Sequence, residues 1–147
     1  SAALSADLAI AADACRFTPA YAKLGARLDG SSTWFLPRVV GLRKAMELAL
    51  LAEPFDAAEA LRLGLVNRVV PAAELEAECG KLVDRLAAGP TNAYGRIKRL
   101  LRDSSQQELA AQLDHELEAF CQGTGTADFA EGVGAFLDKR PPRFEGR

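Results

Sequence analysis

Residues 20–41, AYAKLGARLDGSSTWFLPRVVG, hold the residue types best suited to chemistry in this chain. Gly25, Gly30 and the serines after them allow a backbone to approach a ligand closely. Asp29 is a lone carboxylate followed by the bulky rings of Trp34 and Phe35. A carboxyl group in apolar surroundings holds its proton more readily, which suits it to proton transfer. Asp29 is therefore the candidate proton-transfer residue.

The same letters, D-G-S-S-T, also predict a turn. In that alternative the Asp29 side chain accepts hydrogen bonds from backbone N–H groups, as an Asx turn or as the N-cap of a helix. Spacing alone favours neither interpretation over the other.

The composition predicts one soluble domain. A chain of 147 residues, 49% of them apolar, can bury one substantial core. Its apolar runs are short and interrupted by charge, so we expect neither a transmembrane span nor a signal peptide, and a cytoplasmic or organelle-matrix location. The net charge of -2 gives no general attraction to nucleic acid. We therefore expect no nucleic-acid partner and no membrane partner.

The cysteines and the histidine predict no metal site. Cys15, Cys79 and Cys121 form no CxxC pair, and their odd number argues against a disulfide framework. His115, the only histidine, lies between two acidic residues in a polar helical stretch. A structural role for His115 is therefore favoured over a role as a general base.

The order of the patterns predicts an α/β fold that opens with short strands and continues with helices. We expect strands at 8–12 and 16–19, a loop to Pro37, helices at 43–52, 57–63, 71–88, 92–102, 105–120 and 126–137, and an extended segment or strand at 65–70. Asp56 with Glu59 predicts a capping box, and Gly64 predicts a left-handed helix end. Ser105 with Glu108 predicts a second box, and Thr91 a further cap.

Six segments follow one another in an order and spacing that resembles the crotonase family, the enoyl-CoA hydratases and isomerases. They are DLAIAAD at 7–13, Arg16-Phe17, LPRVVG at 36–41, AMELALL at 45–51, AAEALRLGLVNRVVP at 57–71 and FLDKRPPRF at 136–144. The resemblance implies part of a crotonase-type ββα core over 1–70, with its active-site loop, and a helical region over 71–147 for oligomerisation and coenzyme A contact. It also implies that both oxyanion-hole donors precede Ser1, so that this chain is a C-terminal portion of the family's fold.

Two departures from the family pattern bear on the reaction. The family's hydratases use two glutamates, and the resemblance places those positions at Ser1 and Tyr21. One carboxylate is enough to move a proton between two carbons of one substrate, whereas water addition by the usual route uses both. Asp29 is the nearest replacement. Its loop resembles that of the family's double-bond isomerases, and also that of aromatic acyl-CoA dehalogenases, in which an Asp is the nucleophile.

The resemblance also implies how the substrate binds. Tyr21, Trp34 and Phe35 are expected to shape the acyl pocket. Phe136 and Lys139 are expected to contact the adenine and phosphate portion of a neighbouring subunit's coenzyme A. The family's last helix crosses a subunit boundary, so a homotrimer or a dimer of trimers is expected. Coenzyme A arrives as part of the acyl-CoA thioester substrate, and no separate cofactor is expected.

These observations predict an enoyl-CoA hydratase/isomerase that acts through an enolate held in an oxyanion hole. Isomerisation is favoured over hydration, with Asp29 as the proton shuttle. Two alternatives stay open: a dehalogenase or hydrolase with Asp29 as nucleophile, and a non-catalytic homologue that oligomerises.

Overall fold

The computed structural model describes residues 1–147, apart from the side chain of Ala2. The chain forms two compact units, Ser1–Cys79 and Gly80–Arg147. The boundary between them falls inside a helix, several residues beyond the 70/71 boundary expected from the resemblance. Among the described residues, no helix is both long enough and apolar enough to cross a membrane.

The first unit combines short strands with short helices. In chain order it holds α1 (Ala2–Ser5), β1 (Ile10–Ala12), β2 (Arg16–Phe17), a 3-10 helix (Ala20–Leu24), α2 (Ser32–Val40), α3 (Leu42–Leu51), β3 (Phe55–Asp56), α4 (Ala57–Arg62), β4 (Arg68–Val70) and a 3-10 turn (Ala72–Glu74). α5 (Leu75–Ala87) spans the boundary. The second unit holds α6 (Thr91–Asp103), a 3-10 turn (Ser104–Gln106), α7 (Leu109–Thr124) and α8 (Ala127–Leu137). The predicted α/β class is confirmed.

The four strands form two small sheets. β1 and β4 pair in parallel, with Ala12 opposite Val70. β2 and β3 pair antiparallel, and the rings of Phe17 and Phe55 stack across them with centroids 5.5 Å apart. The predicted strands at 8–12 and 16–19 are confirmed in shortened form, and the 65–70 segment resolves into strand β4.

Small side chains build the core of the first unit. Ala11, Ala57, Ala60 and Val66 are buried together. Alanine lets a strand and a helix approach closely, because no long side chain separates their backbones. Asn67 binds the backbone of Ala9 twice. The backbone N–H of Asn67 donates to the Ala9 carbonyl oxygen (2.8 Å), and its side-chain Oδ1 accepts from the Ala9 backbone N–H (2.7 Å).

The predicted loop up to Pro37 is wrong in its second half, because α2 begins at Ser32 and includes the proline. Pro37 has a φ suited to a helix and removes only one N–H donor from it. Ser32 and Leu36, four residues apart, are both buried, and α2 packs against α3. Packing of this face outweighs the loss of one hydrogen bond.

Of the predicted helix ends, the one at Gly64 is confirmed, the box at Asp56 is half formed, and two are wrong. The Asp56 carboxylate accepts from the Glu59 amide N–H (2.9 Å), and Gly64 is left-handed with φ 74°. Glu59 itself pairs with Arg62, so the capping box is half formed. The predicted box at 105–108 does not form, because residues 104–106 continue α6 as a 3-10 turn and α7 starts at Leu109. Thr91 lies inside α6 rather than capping it.

Candidate active site

Tyr21 and Asp29 are brought together by the turn between them. The 3-10 helix at 20–24 ends at Gly25, whose φ of 67° reverses the chain. The Tyr21 hydroxyl then donates a hydrogen bond of 2.5 Å to Oδ1 of Asp29. Asp29 is exposed and Tyr21 is half-buried. No described group donates to Oδ2, so one carboxylate oxygen is held and the other is open.

The alternative in which Asp29 caps α2 with its side chain is wrong. The N-cap residue is Ser31, which makes no side-chain cap bond. The Asp29 carbonyl oxygen, not its carboxylate, accepts from the Ser32 amide N–H at 3.0 Å. The carboxylate is therefore not used to begin the helix.

Ser1 fixes the backbone of the Asp29 loop. Its Oγ donates to the Asp29 carbonyl oxygen at 3.1 Å and lies 2.6 Å from the Ser32 Oγ. Gly30 follows with φ 55°, and a Cβ placed there would lie 2.7 Å from the Ser1 Cβ. A glycine is required at position 30, both for its left-handed backbone and for this close approach.

A small apolar cavity of about 130 Å³ adjoins this loop. Its wall includes Phe17, Phe55, Leu36 and Leu48, together with the Tyr21 side chain. Tyr21 thus belongs both to the cavity wall and to the hydrogen bond with Asp29. A cavity of this size approaches the roughly 150 Å³ that holds a benzene ring.

The structure does not place Trp34 and Phe35 in the wall of this cavity. Trp34 is 45% exposed, and the Arg38 guanidinium lies 3.4 Å from the centre of its ring. Successive helical residues turn by about 100°. Because α2 buries Ser32 and Leu36, it directs Trp34 away from the core. The role of Trp34 and Phe35 in shaping an acyl pocket therefore stays a prediction.

Phe136 and Lys139 lie at the end of α8 in the second unit. Phe136 is 82% exposed and contributes to an apolar groove of about 590 Å³ lined by α6, α7 and α8. Lys139 is left-handed with φ 55°, and its amide N–H donates to the Phe136 carbonyl oxygen (3.3 Å). The described residues offer no ion pair to its ammonium group.

Sequence reasoning missed two carboxylates that hold the C-terminal segment onto α8. Asp128 is buried, and its two oxygens accept from the amide N–H groups of Glu145 (2.7 Å) and Gly146 (2.9 Å). Glu131 binds the Arg140 guanidinium at 2.7 and 2.9 Å and accepts from the Arg143 amide N–H at 2.7 Å. The acidic residues in the first half of α8 indicated that carboxylates would be available there. No local pattern in the sequence identified the groups near the C-terminus that bind them.

The hydrogen bonds from Arg140, followed by that from the Arg143 amide, lower the pKa of Glu131 from 4.5 to about 2.

Among the described residues, no group of three acidic, histidine or cysteine side chains is arranged to hold a metal ion. The three cysteines are unpaired, and His115 lies exposed in α7.

This chain matches one protein family over its whole length, and the proteins similar to it carry names with different activities. The family described as enoyl-CoA hydratase/isomerase matches residues 1–147. A Rhodobacter capsulatus protein named "Probable enoyl-CoA hydratase" is 44% identical over 147 residues, which is 99% of this chain and 56% of that protein. The 4-chlorobenzoyl coenzyme A dehalogenase-1 of an Arthrobacter species is 36% identical over 92% of this chain and 49% of its own length.

A solved structure agrees with these sequence matches. The crystal structure of a Mycobacterium abscessus protein assigned as an enoyl-CoA hydratase/isomerase superposes with a TM-score of 0.96 at 34% identity. The superposition covers 99% of this chain and 56% of that one. The chain thus spans about half the length of the relatives it matches. The match of its whole length, in sequence and in fold, means that the chain belongs to the enoyl-CoA hydratase/isomerase family, the crotonases.

Proposed function

We propose that the protein moves a carbon–carbon double bond within an acyl-CoA thioester, with Asp29 as the proton shuttle. The observation that carries this proposal is the state of the Asp29 carboxylate, which is exposed, held by Tyr21 through Oδ1 and open at Oδ2. The apolar cavity beside Tyr21 provides a place for the acyl chain. A carboxylate with one open oxygen, linked through Tyr21 to the wall of this cavity, is suited to a proton shuttle.

The proposed reaction uses one proton twice. Asp29 removes a proton from the α-carbon of a β,γ-unsaturated thioester, and the electrons of the broken C–H bond pass into the enolate. The same carboxyl group then returns the proton to the γ-carbon, which leaves the double bond between the α- and β-carbons. Water addition would need a second positioned acid or base, and the two positions that the resemblance assigns to glutamates hold Ser1 and Tyr21.

The size of the cavity limits the part of the substrate that it takes. About 130 Å³ fits a short chain or a single ring rather than a long fatty acyl chain. We assign Phe136 and Lys139 to the nucleotide end of the coenzyme A that a neighbouring subunit binds. Lys139 supports this by carrying an ammonium group without an ion-pair partner among the described residues, suited to a phosphate.

A panel of thioesters tests this function in the full-length protein. We expect β,γ-enoyl-CoA substrates with short or ring-bearing chains to be converted to α,β-enoyl-CoA faster than α,β-enoyl-CoA is hydrated. The rates are followed by the absorbance of the conjugated thioester. Faster hydration would contradict the proposal, and binding of every thioester without turnover would favour the non-catalytic homologue.

A second candidate is dehalogenation of an aryl-CoA thioester, favoured by the 36% identity to the Arthrobacter dehalogenase. In that reaction an Asp29 oxygen attacks the ring carbon that carries the halogen, and the halide leaves with its electron pair. Water then hydrolyses the aryl ester, which yields the hydroxyaryl thioester and restores the carboxylate. Mass spectrometry after rapid quenching decides between the two, because only the nucleophilic route leaves an aryl adduct on Asp29.

We also propose that α8 contributes to a subunit contact in a trimer or a dimer of trimers. Apolar residues recur along α8 at helical spacing and are substantially exposed: Phe129, Val133, Phe136 and Leu137. An exposed apolar stripe of this kind is typical of a helix that packs against another element.

Sedimentation of the full-length protein should give the mass of a trimer or hexamer, and Val133→Asp should lower the mass of the assembly. Val83→Asp, on the exposed face of α5, is the matched control. A monomeric wild-type protein would contradict the proposal.

A further inference from the structure

We infer that Tyr21 is a positioning residue that orients Asp29 for proton transfer, an inference that rests on the proposed function. The observation is the hydrogen bond from the Tyr21 hydroxyl to Oδ1 of Asp29, made by a side chain that also lines the acyl cavity. One residue therefore joins the cavity to the carboxylate.

Hydrogen bonds hold the backbone on both sides of this contact. Gly25 ends the 3-10 helix that carries Tyr21, and its amide N–H donates to the Ala22 carbonyl oxygen at 3.1 Å. The Asp29 carbonyl oxygen accepts from Ser1 Oγ and from the Ser32 amide N–H. These backbone contacts do not prevent the Asp29 side chain from rotating. The Tyr21 hydroxyl removes that freedom by holding Oδ1, so that only Oδ2 is presented to a substrate.

Among the described residues, Tyr21 is the one whose side chain donates to the Asp29 carboxylate, whereas Ser1 Oγ and the Ser32 amide N–H donate to the Asp29 carbonyl oxygen. The hydrogen bond from Tyr21 therefore sets the direction in which the carboxylate faces.

Tyr21→Phe tests the inference in the full-length protein, because it keeps the ring and removes only the hydroxyl. We expect kcat for isomerisation to fall about tenfold with KM changed less than about twofold, since a loosened base is misaligned but the cavity wall is intact. Tyr94→Phe, which removes the other phenol of the chain from α6, should change neither.

A double variant shows whether Tyr21 acts through Asp29. In the Asp29→Asn background, Tyr21→Phe should have no further effect on the residual rate, because the group that it orients is gone.

The outcomes separate the two proposals. If Asp29→Asn abolishes turnover but Tyr21→Phe raises KM at unchanged kcat, Tyr21 is only part of the cavity wall. The inference then fails and the proposed function stands. If Asp29→Asn keeps near wild-type turnover, both are overturned.

Discussion

Asp29 and Asp128 are two aspartates near helix starts that are used in opposite ways. Asp29 lies just ahead of α2, is exposed, and has one oxygen held by Tyr21 while the other is open. Asp128 lies in the first turn of α8, is only 5% exposed, and has both oxygens bound by backbone amides. A carboxylate available for chemistry differs from a structural one in unused hydrogen-bonding capacity, not in residue type.

The difference follows from burial. A charge removed from water must be compensated by hydrogen bonds, so Asp128 needs partners for both oxygens. Asp29 stays in contact with solvent and carries no such requirement. Asp29→Asn and Asp128→Asn test this comparison directly, and substitutions of Lys139 and Glu131 extend it to two other charged groups.

Asp29→Asn should have the largest effect. Turnover in the full-length protein should fall about 100-fold or more, because an amide keeps the shape of the side chain but cannot accept the proton. Its free energy of unfolding should change by less than about 0.5 kcal/mol, since the site is exposed. Steady-state kinetics and urea denaturation measure the two quantities. Asp114→Asn, on the exposed part of α7, is the control, and wild-type turnover in Asp29→Asn would remove Asp29 from the mechanism.

Asp128→Asn should show the reverse pattern. One carboxylate oxygen becomes an NH₂ group that faces a backbone N–H, which leaves a buried donor without an acceptor. We expect a loss of about 1–3 kcal/mol in the free energy of unfolding, with turnover unchanged in the molecules that stay folded. Asp138→Asn, at the exposed end of α8, should cost less than about 0.5 kcal/mol. Equal losses from the two variants would contradict the structural role of Asp128.

Lys139 allows charge and backbone conformation to be separated. Lys139→Ala should raise KM for coenzyme A thioesters about tenfold at unchanged kcat, because a remote phosphate contact is equal in the ground and transition states. Lys139→Gly should raise KM equally and be about 0.5–1 kcal/mol more stable than the alanine variant, because glycine accepts the left-handed φ of 55°. A pantetheine thioester without the nucleotide should show no KM change. Stability changes without any KM change would assign Lys139 to the helix end alone.

Glu131 should give the smallest effect, visible mainly in the pH dependence of stability. Its pKa in the folded protein is lowered to about 2, so its contribution is complete above about pH 4.5 and is lost as the pH falls from 4.5 towards 2. Urea denaturation between pH 3 and pH 7 should therefore show that the free energy of unfolding falls less with decreasing pH in Glu131→Gln than in wild type. Parallel curves would show that the bond to Arg140 adds nothing.

Much of the fold could be predicted because it depends on local patterns. The cap of α4 needs only Asp56 and the amide of Glu59, three residues apart, and its end needs only Gly64. Local patterns failed at α2 and at the start of α7. There the burial of Ser32 and Leu36, and the continuation of α6 into a 3-10 turn, outweighed the preferences of Pro37 and of the predicted capping box.

By itself, the sequence determined the family and the α/β class, and it made Asp29 a candidate as a lone carboxylate among small residues, since composition, spacing and motif order lie in the chain itself. Only the tertiary structure decided which groups meet that carboxylate: Tyr21 holds it, whereas Trp34 turns away. The same is true of the contacts from Asp128 to residues near the C-terminus. Such contacts depend on where the chain returns after a turn or a helix, and packing of the whole unit sets that path rather than any local run of residues.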